Sequence, residues 1–172
     1  MQKFIPEILS EINANPGLIT QYRGEASLRL VFTHAFDPSA KFVLPDGDPP
    51  YKQDAAPIGM TPAILKQELR RLYVFCRQDL PPIRRETLFV QLLESVHPSE
   101  AKVLLAIKDQ DLTKLYPNIT HQMVFENGFI QVPPTEAPKK LKKVNDQITD
   151  AVTVTKPGRG RPKKVQGVTV PN

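Results

Sequence analysis

The sequence predicts an all-α fold, a compact bundle of about six or seven short helices followed by a disordered basic C-terminal tail. Apolar residues recur three and four positions apart in one stretch after another, the mark of helices that bury one face. No stretch alternates apolar and polar residues for more than a few positions, as a half-buried strand would. All 12 Phe and Tyr lie at or before Phe129, so residues 132–172 have no aromatic side chain to give to a core.

Each element follows from its own residues. In "FIPEILSEIN" the residues Phe4, Ile5, Ile8, Leu9 and Ile12 share one helical face. Pro6 falls in the first turn, where a missing N–H is harmless. "NPGLITQY" predicts a short second turn of helix opened by Asn15 and Pro16, and "EASLRLVFTHAF" repeats the pattern with Leu28, Val31, Phe32, Ala35 and Phe36. Residues 37–60 hold five prolines and two glycines and predict a long loop, of the kind that often carries function. Within it "PDGD" predicts a tight turn with Gly47 at positive φ; it lacks the alternating oxygens and terminal Glu of a calcium loop.

The second half is more legible. "MTPAILKQELRRLYVFC" predicts a helix with Thr61 as N-cap, Pro62 at its first position and Leu65, Leu69, Leu72 and Cys76 as its stripe. "LPPIRRETLFVQLLESV" does the same with Leu88, Phe89, Leu92, Leu93 and Val96. "HPSEAKVLLAIKD" opens at Pro98, and its apolar run from Val103 to Ile107 suits a central helix. "YPNITHQMVFENG" predicts a last short helix ended by Gly128. The domains expected are a helical body at 1–131, a Pro/Lys-rich flexible linker at 132–155 and a tail at 156–172.

Charge divides along the same line. After residue 131 there are nine Lys and Arg against three Asp and Glu, a net of +6; the body before it has fourteen against fifteen, a net of −1. The sequence pI of about 9.4 therefore belongs to the tail. A near-neutral domain with a basic arm suggests a polyanionic partner; a merely solvated terminus would have the same charge. No apolar run approaches the 18 residues of a membrane span and no charged, apolar leader follows Met1, so a soluble, intracellular protein without membrane contact is expected.

Chemistry in the body is not expected. Cys76 is the one cysteine, and with His34, His97 and His121 it lacks paired metal-ligand spacing. Neither a metal nor a cofactor is predicted. Cys76 lies on its helix's apolar stripe and reads as a packing residue, and His97, just before Pro98, reads as a capping residue. The cluster Arg70, Arg71, Arg77, Arg84 and Arg85 has Glu68, Asp79 and Glu86 close enough in sequence to neutralise it. No nucleophile motif, paired carboxylates or phosphate-cradling glycine loop is present, and the protein reads as a non-enzyme.

The tail carries the sharpest pattern, "KPGRGRPKK" at residues 156–164. Pro162 pushes Arg161 toward an extended backbone, and Gly160 lets the chain approach a surface closely. Arg159 and Arg161, on either side of Gly160, then diverge along a narrow slot. The minor groove over A·T pairs is narrow, strongly negative and floored by acceptors, whereas a G·C pair adds an exocyclic amine that blocks the floor. Lys156, Lys163 and Lys164 would lie along the walls and meet phosphates. The segment resembles the AT-hook, a minor-groove motif built on Arg-Gly-Arg-Pro, with Arg159, Gly160, Arg161 and Pro162 as its core. It departs from the usual pattern in having Gly158 before the core, with Pro157 one place further away. The resemblance implies binding to A·T-rich double-stranded DNA without a folded domain. Five cations give a salt slope no steeper than about −4 and a weak affinity. "PKKLKK", with Lys139, Lys140, Lys142 and Lys143, is either a second phosphate contact on a flexible linker or a solubilising linker.

The body, through "IPEILSEINANP", "HAFDP", "GMTPAILKQELRRLYVFC", "RRETLFVQLLESVHPSEAKVLLAIKDQ" and "LYPNITHQMVFENGFI", resembles an uncharacterised family of small helical proteins from contractile-tailed bacteriophages, notably those of marine bacteria. That resemblance implies a phage origin, a compact helical fold and a place in the host cytoplasm on DNA, or in the virion; it implies no chemistry. The expected function is a non-enzymatic DNA-binding accessory protein whose body binds a protein partner or itself. The alternative is a phage structural or assembly protein whose body is an interaction module and whose tail is incidental or touches packaged DNA without sequence preference.

Overall fold

The structure, a computed structural model, describes residues 3–134. The chain divides into two units, Met1–Glu136 and Ala137–Asn172, and every described residue lies in the first. The expected tail at 156–172 and nearly all of the expected linker lie outside the described residues.

Among the described residues there are seven α-helices, three 3-10 segments and no strand. The helices are α1 (Ile5–Ala14), α2 (Ala26–Phe36), α3 (Leu65–Glu68), α4 (Pro82–Ser95), α5 (Pro98–Lys108), α6 (Leu112–Leu115) and α7 (His121–Glu126). The all-α expectation holds. α5 is the centre, packing against α1, α2, α4 and α6, as its apolar run implies: Val103, Leu104 and Ile107 are fully buried. Each such side chain contributes about 1.5–3 kcal/mol by leaving water.

α1 buries Ile5, Ile8, Leu9 and Ile12 as its spacing predicts. The Glu7 carboxylate accepts the Phe4 N–H at 2.9 Å and tightens the helix start. The segment Pro16–Tyr22 is a 3-10 turn, with the Asn15 side chain accepting the Gly17 N–H. α2 buries Leu28, Val31, Phe32 and Ala35. His97 caps α5 through Nδ1, which accepts the Ser99 N–H at 3.2 Å. α7 ends before Gly128, whose φ of +75° needs glycine.

Three expectations need correction. The helix expected from Thr61 and Pro62 begins only at Leu65, because the Thr61 hydroxyl donates to the Ala63 carbonyl and holds a bend. What caps α3 is a distant side chain, the Glu100 carboxylate, which accepts the Leu65 N–H at 3.2 Å. The same stretch is not one α-helix, since Leu69–Cys76 is 3-10. Its buried residues Leu69, Leu72 and Phe75 are spaced by three, the period that aligns side chains on a 3-10 face. The arginine cluster is only partly neutralised as expected. Arg71 pairs with Glu68 and Arg77 with Asp79, but Arg85 is a buried structural group and Glu86 is in no ion pair among the described residues.

The 37–60 segment is a loop, as expected, apart from a 3-10 turn at Pro38–Ala40, but a strapped one. Phe42 leaves it to enter the core, with ring centroids 5.4 Å from Phe75 and 6.1 Å from Phe89. The Val43 N–H donates to the Phe75 carbonyl at 2.8 Å, and the Lys52 N–H to Glu94 at 3.1 Å. Gly47 has the expected positive φ, +86°.

Candidate functional site

The residues expected to meet DNA (Lys156, Arg159, Gly160, Arg161, Pro162, Lys163 and Lys164, with Lys139, Lys140, Lys142 and Lys143 as auxiliaries) all lie outside the described residues. Within the body, the feature built most like a site is a groove of about 510 Å³ between α4 and the loop 44–50. Helical spacing puts Ile83, Glu86, Thr87 and Val90 on the α4 face that forms one wall. Pro45, Pro49 and Pro50 stiffen the other wall. Phe42 and Phe89, packed together in the core, hold the two walls in register.

Lys108 fixes the loop from below. It is only 2% exposed, donates to the Pro45 carbonyl at 3.1 Å and pairs with Asp109. Its charge is thus neutralised within the body. By contrast Asp46, Asp48 and Glu86 line the groove with no ion-pair partner among the described residues. No group of three His, Cys, Asp or Glu among the described residues is placed to hold a metal ion.

The titratable groups singled out by sequence are structural. His34 is buried in α2, and its Nδ1 lies 3.1 Å from the Ala40 carbonyl. Burial pushes its pKa down, so the neutral ring, with Nδ1–H donating, is the favoured state. The Cys76 thiol, half-buried, donates to the same carbonyl at 3.2 Å, and burial pushes its pKa up. Their sulfur and nitrogen are 3.8 Å apart. The nitrogen nearest sulfur already carries a proton, so it does not act as a base toward the thiol. His121, the first residue of α7, stacks on Phe36 and lies 3.0 Å from the Val132 carbonyl through Nε2.

Three charged residues escape a reading by residue type. Arg85, 3% exposed, donates to the carbonyls of Arg77 at 2.7 Å and Leu80 at 3.1 Å, closing the turn that leads into α4. Glu100, 1% exposed, joins the starts of α3 and α5, and burial raises its pKa. Lys108 is the third. One signal marks them all: each stands where its helix's apolar stripe calls for a hydrophobe. Arg85 precedes Phe89 by four and Leu93 by eight; Glu100 and Lys108 flank Leu104 by four on either side.

Among the described residues no helix is long and apolar enough to cross a membrane. No curated protein and no solved structure shows significant similarity to the chain. A family model does match, over residues 13–114, which hold the groove and the three buried charges but not α7 or the basic tail. With more than half of its length matched, the chain belongs to DUF6433, a family of unknown function.

Proposed function

We propose that the protein is a non-enzymatic DNA-binding accessory protein of phage origin. Its tail inserts Arg159 and Arg161 into the minor groove of A·T-rich duplex while the helical body holds a protein partner. The observation that carries this reading is the Arg-Gly-Arg-Pro core at residues 159–162 with lysines at 156, 163 and 164, in a segment of net charge +6 beside a body of −1. The extended arginines suit a narrow, acceptor-floored slot, and the lysines suit phosphates. The second reading, an assembly module with an incidental tail, is favoured by the acidic groove on the body, whose charge is wrong for DNA.

Fluorescence anisotropy on A·T-rich and G·C-rich duplexes, with the intact protein and the Arg159→Ala/Arg161→Ala variant, separates the two. The reading predicts an A·T preference that the double variant loses, and a log–log salt slope no steeper than about −4. Equal binding of both proteins to both duplexes makes the arginine core incidental charge.

A further inference from the structure

The groove between α4 and the loop 44–50 is not used by the DNA reading, and its chemistry is specific. Its length along α4, from Ile83 to Gln91, is about 12 Å at the helical rise, the span of three or four extended residues. Its apolar surface comes from Leu44, Val90 and the edge of Phe89, with Ile83 beside them 81% exposed.

The side-chain donors that line it are Thr87, Gln91 and Lys108, and of these only the Gln91 amide has no hydrogen-bond partner among the described residues. Pro45, Pro49 and Pro50 have no N–H. The Thr87 hydroxyl donates to the Ile83 carbonyl at 2.8 Å, and the Lys108 amine is engaged by Pro45 and Asp109. Acceptors are in excess, because the carboxylates of Asp46, Asp48 and Glu86 have no ion-pair partner among the described residues. They do not converge as metal ligands do. The groove is negative and rich in acceptors, with an apolar floor.

We propose that this groove docks a partner protein through a short extended segment in which Lys or Arg side chains flank one aliphatic or aromatic residue. The apolar residue covers Ile83 and packs on Leu44 and Val90, while the cations meet Asp46, Asp48 and Glu86. Rigid prolines on one wall and a helix on the other leave little conformational freedom to lose on binding. The carboxylates repel nucleic acid. The inference rests on residues 44–108 and stands whether or not the tail binds DNA.

Random peptides displayed against the immobilised full-length protein test it. The selected sequence is then measured by fluorescence anisotropy on the wild type, Ile83→Ser and Asp46→Lys/Glu86→Lys. All three positions are exposed, and circular dichroism confirms that each variant is folded. The expected consensus pairs Lys or Arg with one large apolar residue. The charge reversal weakens the selected peptide about tenfold, and Ile83→Ser weakens it several-fold. An acidic consensus, no consensus, or affinities unchanged in both variants overturns the proposal. So does sedimentation showing a self-association that Ile83→Ser abolishes, which makes a second copy of this chain the occupant. DNA affinity, read separately on duplexes, fails or holds independently.

Discussion

Arg85 stands on the apolar stripe of α4, and its guanidinium holds the carbonyls of Arg77 and Leu80 at the entry to that helix. Truncating it orphans two carbonyls beside the core. Arg85→Ala therefore lowers stability by about 3 kcal/mol in urea denaturation. Arg85→Lys recovers only part of this, because an ammonium lacks the fork that reaches both oxygens. His34 gives a pH signature. Burial sets its folded pKa below the unfolded value of about 6.5, so its contribution is complete above that pH. It is lost as pH falls through 6.5 toward the folded value. Thermal melts between pH 7.5 and 5 should show this loss, and His34→Gln should flatten the slope. Glu100 has the opposite sign. Its raised pKa favours the folded state at lower pH, so only the difference between wild type and His34→Gln isolates the histidine. The sequence makes the His97 cap legible, because Pro98 marks the helix start. It does not announce the roles of Arg85, Glu100 and Lys108, since a charged residue is read as solvated unless its place on a stripe is weighed.

At the level of elements, the helices whose signals are local were legible: α1, α2, α4, α5 and α7 match their apolar spacing and their start or stop residues. α3 was misplaced because its cap comes from Glu100, thirty-five residues on, which local spacing cannot reveal. α6, a single turn of four residues, is too short for a periodic pattern. The loop 37–60 was legible as a loop from its prolines, but its anchoring was not, since Phe42 looks like any loop residue until Phe75 and Phe89 are beside it. Two glycines in this loop separate conformational from steric cost. Both have φ +86°, but a Cβ at Gly47 meets open space, whereas one at Gly59 falls 2.9 Å from the Phe4 ring. Gly47→Ala should cost about 1–2 kcal/mol for the left-handed backbone alone. Gly59→Ala should cost more, because the Phe4 ring, just before α1, must move as well. Chemical denaturation of both variants checks the order.

On the scale of the whole molecule, charge divides the chain into two parts. The body, net −1, centres its core on α5 and presents a negative groove; the residues after 131, net +6, carry the arginine core. The fold class was legible because helical spacing and the placement of all 12 Phe and Tyr before residue 132 act along the chain. The groove was not, since it is made from a loop and a helix face that only packing brings together. The tail's pattern is legible in the sequence alone, and its minor-groove reading is open to a single measurement. Replacing guanine by inosine removes the amine from the minor-groove floor and leaves the major-groove pattern of the pair unchanged. The account predicts that the full-length protein binds an I·C duplex as it binds A·T, and both more tightly than G·C. Binding to I·C that matches G·C instead would contradict it and place the arginines outside the minor groove.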